Sequence, residues 1–393
     1  MKLVIGVGLA VCLLGTCMDS YAQGNTSDKV LQGVQHASKK EYSQAIACFR
    51  EAVEKGAEAQ WRLGLHYIMG WGVEKNDAEA VKWYRKSAEQ GNAEGQYLLG
   101  YCYAAGLGVE QNNAEAVKWY RMSAEQGNVA AQLRLGICYY SGVGVDQNYT
   151  EAAKWYRKSA EQGNAEAQLR LGICYHSGVS VEQNYTEAAK WFRKSAEQGN
   201  AVSQSLLGAY YIDGNGVTQD NAEAVKWFHK SAEQGDAGGQ LGLGICYLMG
   251  DGVTQDNAEA AKYFRKSAEQ GNAEAQWRLG YCYYSGFGVE QNYTEAAKYF
   301  RKSAEQGNAE GQLRLGLCYI QGCGVGENDV EAAKWFRKSA EQGLAAGQWF
   351  LGLYYYNRQG GAMNKEMARD LWRKAKAQGN EDATEALRKY FNE

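Results

Sequence analysis

A thirty-six-residue period governs this chain. The string Glu-Gln-Gly recurs with its glycine at Gly91, Gly127, Gly163, Gly199, Gly235, Gly271, Gly307 and Gly343. Glu54-Lys55-Gly56 and Ala377-Gln378-Gly379 bracket the series. A Leu-Gly pair keeps the same beat at Gly64, Gly100, Gly136, Gly172, Gly208, Gly244, Gly280, Gly316 and Gly352. A fixed period of this length predicts a solenoid, in which each unit buries its apolar face only against its neighbours. Such a chain offers a long ridged surface rather than one deep pocket.

Residues 92–127 show how one unit is written. Asn92 is placed to cap a first helix over Ala93–Ala105, with Gln96, Leu99, Gly100 and Tyr103 on one stripe. Gly106-Leu107-Gly108-Val109 stops it, because glycine tolerates the left-handed backbone of a helix end. A second helix starts at Asn112, and Glu115 three residues on makes a capping box, in which the carboxylate is expected to reach back to the cap. The box recurs at Asn76/Glu79, Asn148/Glu151, Asn184/Glu187, Asp220/Glu223, Asp256/Glu259, Asn292/Glu295 and Asn328/Glu331. The second helix carries Ala116, Trp119, Tyr120 and Ala124 as core and ends at Gly127. Nine units follow one another over 57–91, 92–127, 128–163, 164–199, 200–235, 236–271, 272–307, 308–343 and 344–379. Residues 23–56 read as an N-terminal capping helix pair, with Tyr42, Ala45, Phe49, Ala52 and Val53 periodic, and 380–393 as a closing helix. The last unit loses the Gly-x-Gly-Val turn, with Asn357-Arg358-Gln359-Gly360-Gly361 in its place.

At 393 residues an ordinary chain would split into two or three domains, but a repeat stack can grow without doing so. Proline is absent, which suits short helices with tight links. The net charge is −3 with both signs in every unit, so no basic field for nucleic acid exists. Residues 1–22 differ in kind. Lys2 precedes an apolar run from Leu3 to Leu14, too short for a membrane span, and Ser20-Tyr21-Ala22 offers a cleavage site after Ala22. The sequence thus predicts an exported protein, periplasmic or secreted, without a transmembrane segment in the mature chain. Leu14-Gly15-Thr16-Cys17 is the competing signal, a lipoprotein box that would anchor the chain at Cys17.

The pattern Ala-x-x-Gln-x-x-Leu-Gly-x-x-Tyr-x-x-Gly-x-Gly-Val, followed by Ala-x-x-Trp-Tyr and Ala-Glu-Gln-Gly, resembles the Sel-one-like repeat family, relatives of tetratricopeptide repeats. The resemblance covers 57–379, about four fifths of the chain. It implies an all-α fold, a right-handed α-solenoid of antiparallel helix pairs, and an adaptor role holding protein complexes together.

Other chemistry finds little support. Cys102, Cys138, Cys174, Cys246, Cys282 and Cys318 share one slot of the first helix, where Tyr210 and Tyr354 substitute. A secreted branch of the family to which the chain is similar carries two cysteines per repeat and joins the helices of a pair; most units here have one. Equivalent slots in adjacent units lie roughly 8–10 Å apart, beyond the roughly 7 Å Cα limit for a disulfide. Buried free thiols are therefore expected, with Cys318–Cys323 as the one pair left open. The Gly-x-Gly-Val turns follow helices rather than strands, so they are not dinucleotide fingerprints. His36, His66, His176 and His229 have no metal-ligand spacing. Asn148, Asn184 and Asn292 match glycosylation acceptors but are equally helix caps. No cofactor, metal or catalytic set is predicted. The Ser-x-x-Lys string of a serine acyl-enzyme is missing, which disfavours a cell-wall-directed, β-lactamase-like enzyme.

What remains is a binding face. The helical wheel leaves a narrow solvent strip on the first helix, whose central slot holds Arg62, Leu98, Arg134, Arg170, Leu206, Gly242, Arg278, Arg314 and Phe350. By analogy with tetratricopeptide solenoids this strip lines the concave groove. Beside it stand Trp61, Tyr97, Tyr101, Trp277, Tyr281, Tyr284, Trp349 and Tyr356, as groove walls or as seam filling. Arginine with tyrosine and tryptophan is the mix of binding hot spots. Arg62, Arg134, Arg170, Arg278, Arg314, Tyr101, Tyr281, Tyr284, Trp277 and Phe350 are the candidate contacts for a protein or peptide partner, cell-wall-associated proteins among them. A passive spacer and a wall-binding protein are the alternatives.

Overall fold

The computed structural model describes residues 28–54, 56–357 and 364–393. The expected signal segment 1–22, with Cys17, and residues 358–363 lie outside the described residues. Twenty-one helices and no strand are present among the described residues. A leading pair, Asp28–Ser38 and Tyr42–Ala52, precedes nine two-helix units. Their first helices are Ala57–Met69, Ala93–Ala105, Val129–Ser141, Ala165–Ser177, Ala201–Asp213, Ala237–Met249, Ala273–Ser285, Ala309–Gln321 and Ala345–Tyr356. The second helices are Asp77–Glu89, Asn113–Glu125, Tyr149–Glu161, Tyr185–Glu197, Asn221–Glu233, Asn257–Glu269, Tyr293–Glu305, Asp329–Glu341 and Lys365–Ala377, and Glu381–Phe391 closes the chain. Two compact bodies result, one reaching Trp191 and one starting at Phe192.

Within each body first helices pack on their own second helices, as Ala57–Met69 does on Asp77–Glu89, and second helices pack on the first helix of the next unit, as Asp77–Glu89 does on Ala93–Ala105. First helices of successive units also touch, for example Ala57–Met69 with Ala93–Ala105 and Ala201–Asp213 with Ala237–Met249. The first helices are therefore the crowded side of each stack. Their apolar stripes feed a chain of small cores, such as Trp61, Leu99, Tyr120 and Leu135 in the first body and Phe264, Leu279 and Cys282 in the second.

The Leu-Gly beat has a steric cause. A Cβ at Gly100 would sit 2.9 Å from the Tyr120 ring and 3.1 Å from the Ala116 carbonyl, so glycine lets the second helix press its aromatic residue flat against the first. Polar groups close the same seam. Gln96, 1 % exposed, donates from Nε2 to the Ala88 carbonyl of the preceding unit at 3.2 Å and accepts from Gln126 of its own unit at 2.7 Å. Ser123 Oγ donates to the Ala93 carbonyl, and Arg85 donates to the hydroxyl of Tyr103 at 2.6 Å. A buried glutamine satisfied on both sides contributes about 1 kcal/mol per bond, whereas one left unsatisfied costs about 1–3 kcal/mol.

The capping boxes form only in half. Asn76 Oδ1 accepts from Glu79 N at 2.9 Å, and Asn112, Asn148, Asn184, Asp220, Asp256, Asn292 and Asn328 do the same one unit apart. The returning bond expected from the glutamate is replaced. Asn76 N already donates to the Tyr67 carbonyl at 2.9 Å, so the Glu79 carboxylate turns to Lys82 at 2.8 Å. This substitution is also of small value, since exposed pairs contribute a few tenths of a kcal/mol.

In the Gly-x-Gly-Val turn the first glycine ends the helix and the second meets the neighbouring unit. Gly106 has φ 65° and Gly108 φ 67°, and a Cβ on Gly108 would lie 2.2 Å from the Asp77 carbonyl oxygen. Unit four puts Ser180 at this place, and it adopts φ 90°. A left-handed serine is strained by about 1 kcal/mol or more. Ser180→Gly should therefore stabilise the protein by about that amount, read as a rise in the denaturation midpoint; an unchanged or lower midpoint would show the serine to be unstrained.

The eight described cysteines are free, including Cys318 and Cys323, which do not bridge. Cys102, Cys174, Cys246, Cys282 and Cys318 are buried, and Cys138 is partly so. Burial pushes the Cys102 and Cys318 thiols up to about 12 and those of Cys246 and Cys282 up to about 11. A thiol so far from ionisation is a poor nucleophile. Thiol titration at pH 8 should find these four slow in the native state and fast after denaturation. His66 occupies the same slot in unit one, 3 % exposed, with Nδ1 2.9 Å from the Trp71 carbonyl.

Candidate binding face on the first helices

The strip that the helical wheel assigns to solvent is more covered than its spacing predicts. Arg62 is only 8 % exposed and Leu98 2 %, while Arg134, Arg170, Arg278, Arg314 and Phe350 are half-buried. The reason lies in the neighbours. Arg62 lies 4.3 Å over the Trp61 ring and its Nη2 reaches Glu58 at 2.6 Å. Phe350 stacks on Phe336 at 5.3 Å and belongs to a core cluster. Wheel position gives a direction; the bulk of the adjacent aromatic residue decides what water reaches.

Four of the five arginines hold a carboxylate one turn earlier. Arg62–Glu58, Arg170–Glu166, Arg278–Glu274 and Arg314–Glu310 pair at 2.6–2.8 Å. Arg134 is different. The corresponding position is Ala130, and Arg134 has no ion pair among the described residues, lying instead against Tyr97, Tyr101 and Tyr120. One turn into the preceding unit stands the opposite exception, Glu94, with Leu98 where the arginine would be. Its Oε2 accepts from Asn128 at 2.9 Å, yet burial, reinforced by Glu58, pushes its carboxyl up to about 7.

In the second body the candidates converge. Trp277, Arg278, Tyr281 and Arg314 line a pocket of 170 Å³ with Phe264, Leu248 and Phe287. The Arg278 guanidinium lies 4.6 Å over the Trp277 ring and that of Arg314 5.2 Å from the Tyr281 ring. In unit one the equivalent indole, Trp61 Nε1, donates to Glu58 at 3.0 Å. Glu274 instead accepts from Asn308 at 3.2 Å, so the buried Trp277 N–H has no acceptor among the described residues. Tyr284 stands one turn on, its hydroxyl donating to Gln321 at 2.8 Å. The sequence grouped these residues by slot, but nothing in it marked the vacant indole donor. No group of acidic, histidine or cysteine side chains suited to a metal ion occurs among the described residues, and no described helix is long and apolar enough to cross a membrane.

A paired-helix stack with glycine-closed seams and a surface of aromatic-flanked arginines defines an α-solenoid repeat protein. The Sel1 repeat family profile matches ten consecutive stretches, a partial one over 30–56 and full ones from 57–92 to 345–380, and the chain belongs to that family. The partial match falls on the leading helix pair. Among solved structures it is similar to c5321, a protective antigen present in uropathogenic Escherichia coli strains displaying an SLR fold. Identity is 34 % over 95 % of this chain and 89 % of that one, with a TM-score of 0.67. A Sel1 repeat protein from Oxalobacter formigenes is 31 % identical, covering 84 % of this chain and 95 % of that one, with a TM-score of 0.58. A search of curated proteins gave no match. The family fold is typically a non-catalytic scaffold for protein–protein interaction.

Proposed function

We propose that this chain is an exported, non-catalytic scaffold that holds a protein or peptide partner on the first-helix side of its repeats. The observation that carries the reading is the pocket of Trp277, Arg278, Tyr281 and Arg314. Two stacked guanidiniums and a donor without an acceptor suit a carboxylate or backbone carbonyl. The arginines already share their charge with glutamates, so the site selects acceptor geometry rather than bulk negative charge. Export follows from the apolar run and the Ser20-x-Ala22 signal, and a relative described as a protective antigen supports an accessible location.

Replacing Arg278 and Arg314 by glutamine, together with Arg134 and Arg170, should weaken partner capture from the native envelope fraction at least tenfold, about 1.4 kcal/mol. Glutamine keeps part of each stem in place. Capture that survives these changes and fails when Lys82, Lys118 and Lys154 of the second helices are altered would move the binding surface to the opposite side. Intact-mass measurement of the native protein should show Gln23 as its first residue; a lipid on Cys17 would establish anchoring instead.

A further inference from the structure

Units five and six are two consecutive units that lack both members of the glutamate–arginine pair. The glutamate and arginine slots hold Val202 and Leu206 in unit five and Gly238 and Gly242 in unit six. The missing side chains leave a pocket of 310 Å³ between the two first helices. Phe228 forms its floor, since a Cβ on Gly242 would lie 2.4 Å from the Phe228 ring. Leu206, Leu241 and Ile245 make the walls apolar.

Its charge is the reverse of the arginine pocket. Asp213 and Asp251 line it and no lysine or arginine does. Asp213 accepts only a long bond from Asn215 at 3.4 Å, and Asp251 one from Asn221 at 3.2 Å. Neither has a cation within ion-pair distance among the described residues. Both are exceptions in their slots. The places equivalent to Asp213 hold Met69, Ala105, Ser141, Ser177, Met249, Ser285, Gln321 and Asn357, and those equivalent to Asp251 hold Trp71, Leu107, Val143, Val179, Asn215, Phe287 and Cys323. Loss of both arginines and gain of two carboxylates at one opening is a coherent change of sign.

We propose that this pocket is a peptide subsite for an apolar or aromatic side chain flanked by lysine or arginine. The proposal rests on the scaffold reading and gives it a partner chemistry: the apolar anchor loses its water in the pocket while the flanking cations meet Asp213 and Asp251. Apolar area supplies the affinity and the two aspartates the selectivity.

The probes are capped heptapeptides with the central triplets Lys-Phe-Lys, Glu-Phe-Glu and Lys-Ala-Lys, each between alanine pairs, titrated calorimetrically into the mature chain. Lys-Phe-Lys should bind at least tenfold tighter than either of the others, and more weakly as salt rises. Leu206→Arg, which installs the residue of five other units, should abolish the preference with the melting temperature retained. Asp213→Ser, the residue of three other units, should reduce it several-fold. Equal binding of Glu-Phe-Glu, no binding by any triplet, or full binding by Leu206→Arg would overturn the proposal. Sedimentation of the wild type and Leu206→Arg completes the test, because a dimer lost in the variant would assign the pocket to a second copy and likewise overturn it. Failure here leaves the glutamine substitutions at the arginine pocket as an independent measure of the scaffold reading.

Discussion

Gly108→Ala is expected to destabilise the amino-terminal units by about 3 kcal/mol. Two penalties add. The residue must keep a φ of 67°, and the new methyl would fall 2.2 Å from the Asp77 carbonyl oxygen, a backbone atom that has no rotamer to retreat to. That oxygen belongs to the second helix of the preceding unit, so relief requires the two units to part. In a solenoid, stability is a sum of unit terms and nearest-neighbour terms. The damage should therefore stay local: hydrogen exchange should speed up over residues 57–112 while units beyond residue 128 keep their protection. Uniform loss along the first body, or none, would show that the turn does not couple neighbours.

A second large effect is expected at Glu94. Its carboxyl has an ordinary value of 4.5 and burial raises it to about 7. A raised acid binds its proton more tightly in the native than in the unfolded state, so stability falls as pH rises from about 4.5 to about 7 and is flat above. A shift of that size corresponds to at most about 3 kcal/mol, and partial exposure reduces it to about 2 kcal/mol. Glu94→Gln removes the ionisation while leaving an oxygen for Asn128. The variant should gain that stability at pH 8 and be indistinguishable from wild type at pH 4. His66 works with the opposite sign, because burial lowers it and its contribution is lost as pH falls through the ordinary histidine range. Wild type alone mixes the two groups; the difference between variant and wild type isolates Glu94. An equal effect at both pH values would refute the assignment.

Much of the architecture was readable because the code is local. The stop at Gly106 and the cap at Asn112 need only their own neighbours along the chain, and the structure places the intervening turn where the spacing put it. The returning half of the capping box failed for a reason outside that range, since the Asn76 N–H is taken by the Tyr67 carbonyl across the turn. The candidate face shows the same division. Slot arithmetic grouped Arg278 with Arg314, but burial of Arg62 depends on where the Trp61 ring settles. The pocket beside Phe228 was written in Leu206 and Gly242, yet an absent side chain announces a cavity only when its surroundings do not collapse. The missing partners of Glu94 and Arg134 were legible in Leu98 and Ala130, whereas the burial that raises Glu94 and the tyrosines around Arg134 needed three dimensions.

The buried glutamine seam has a bearing on how such a chain changes length. Gln96 donates back to Ala88 and accepts from Gln126, and Gln132 repeats the step with Ala124 and Gln162. Each seam is thus assembled from two halves, and Gln204, Gln276 and Gln312 supply the same pair of bonds in their units. Excising or copying thirty-six residues in register rejoins a donor to an equivalent acceptor, with no orphaned group at the scar. Gene-level duplication and deletion can therefore lengthen or shorten the array without passing through an unfoldable intermediate, and the side chains on the strip are carried along as interchangeable cassettes.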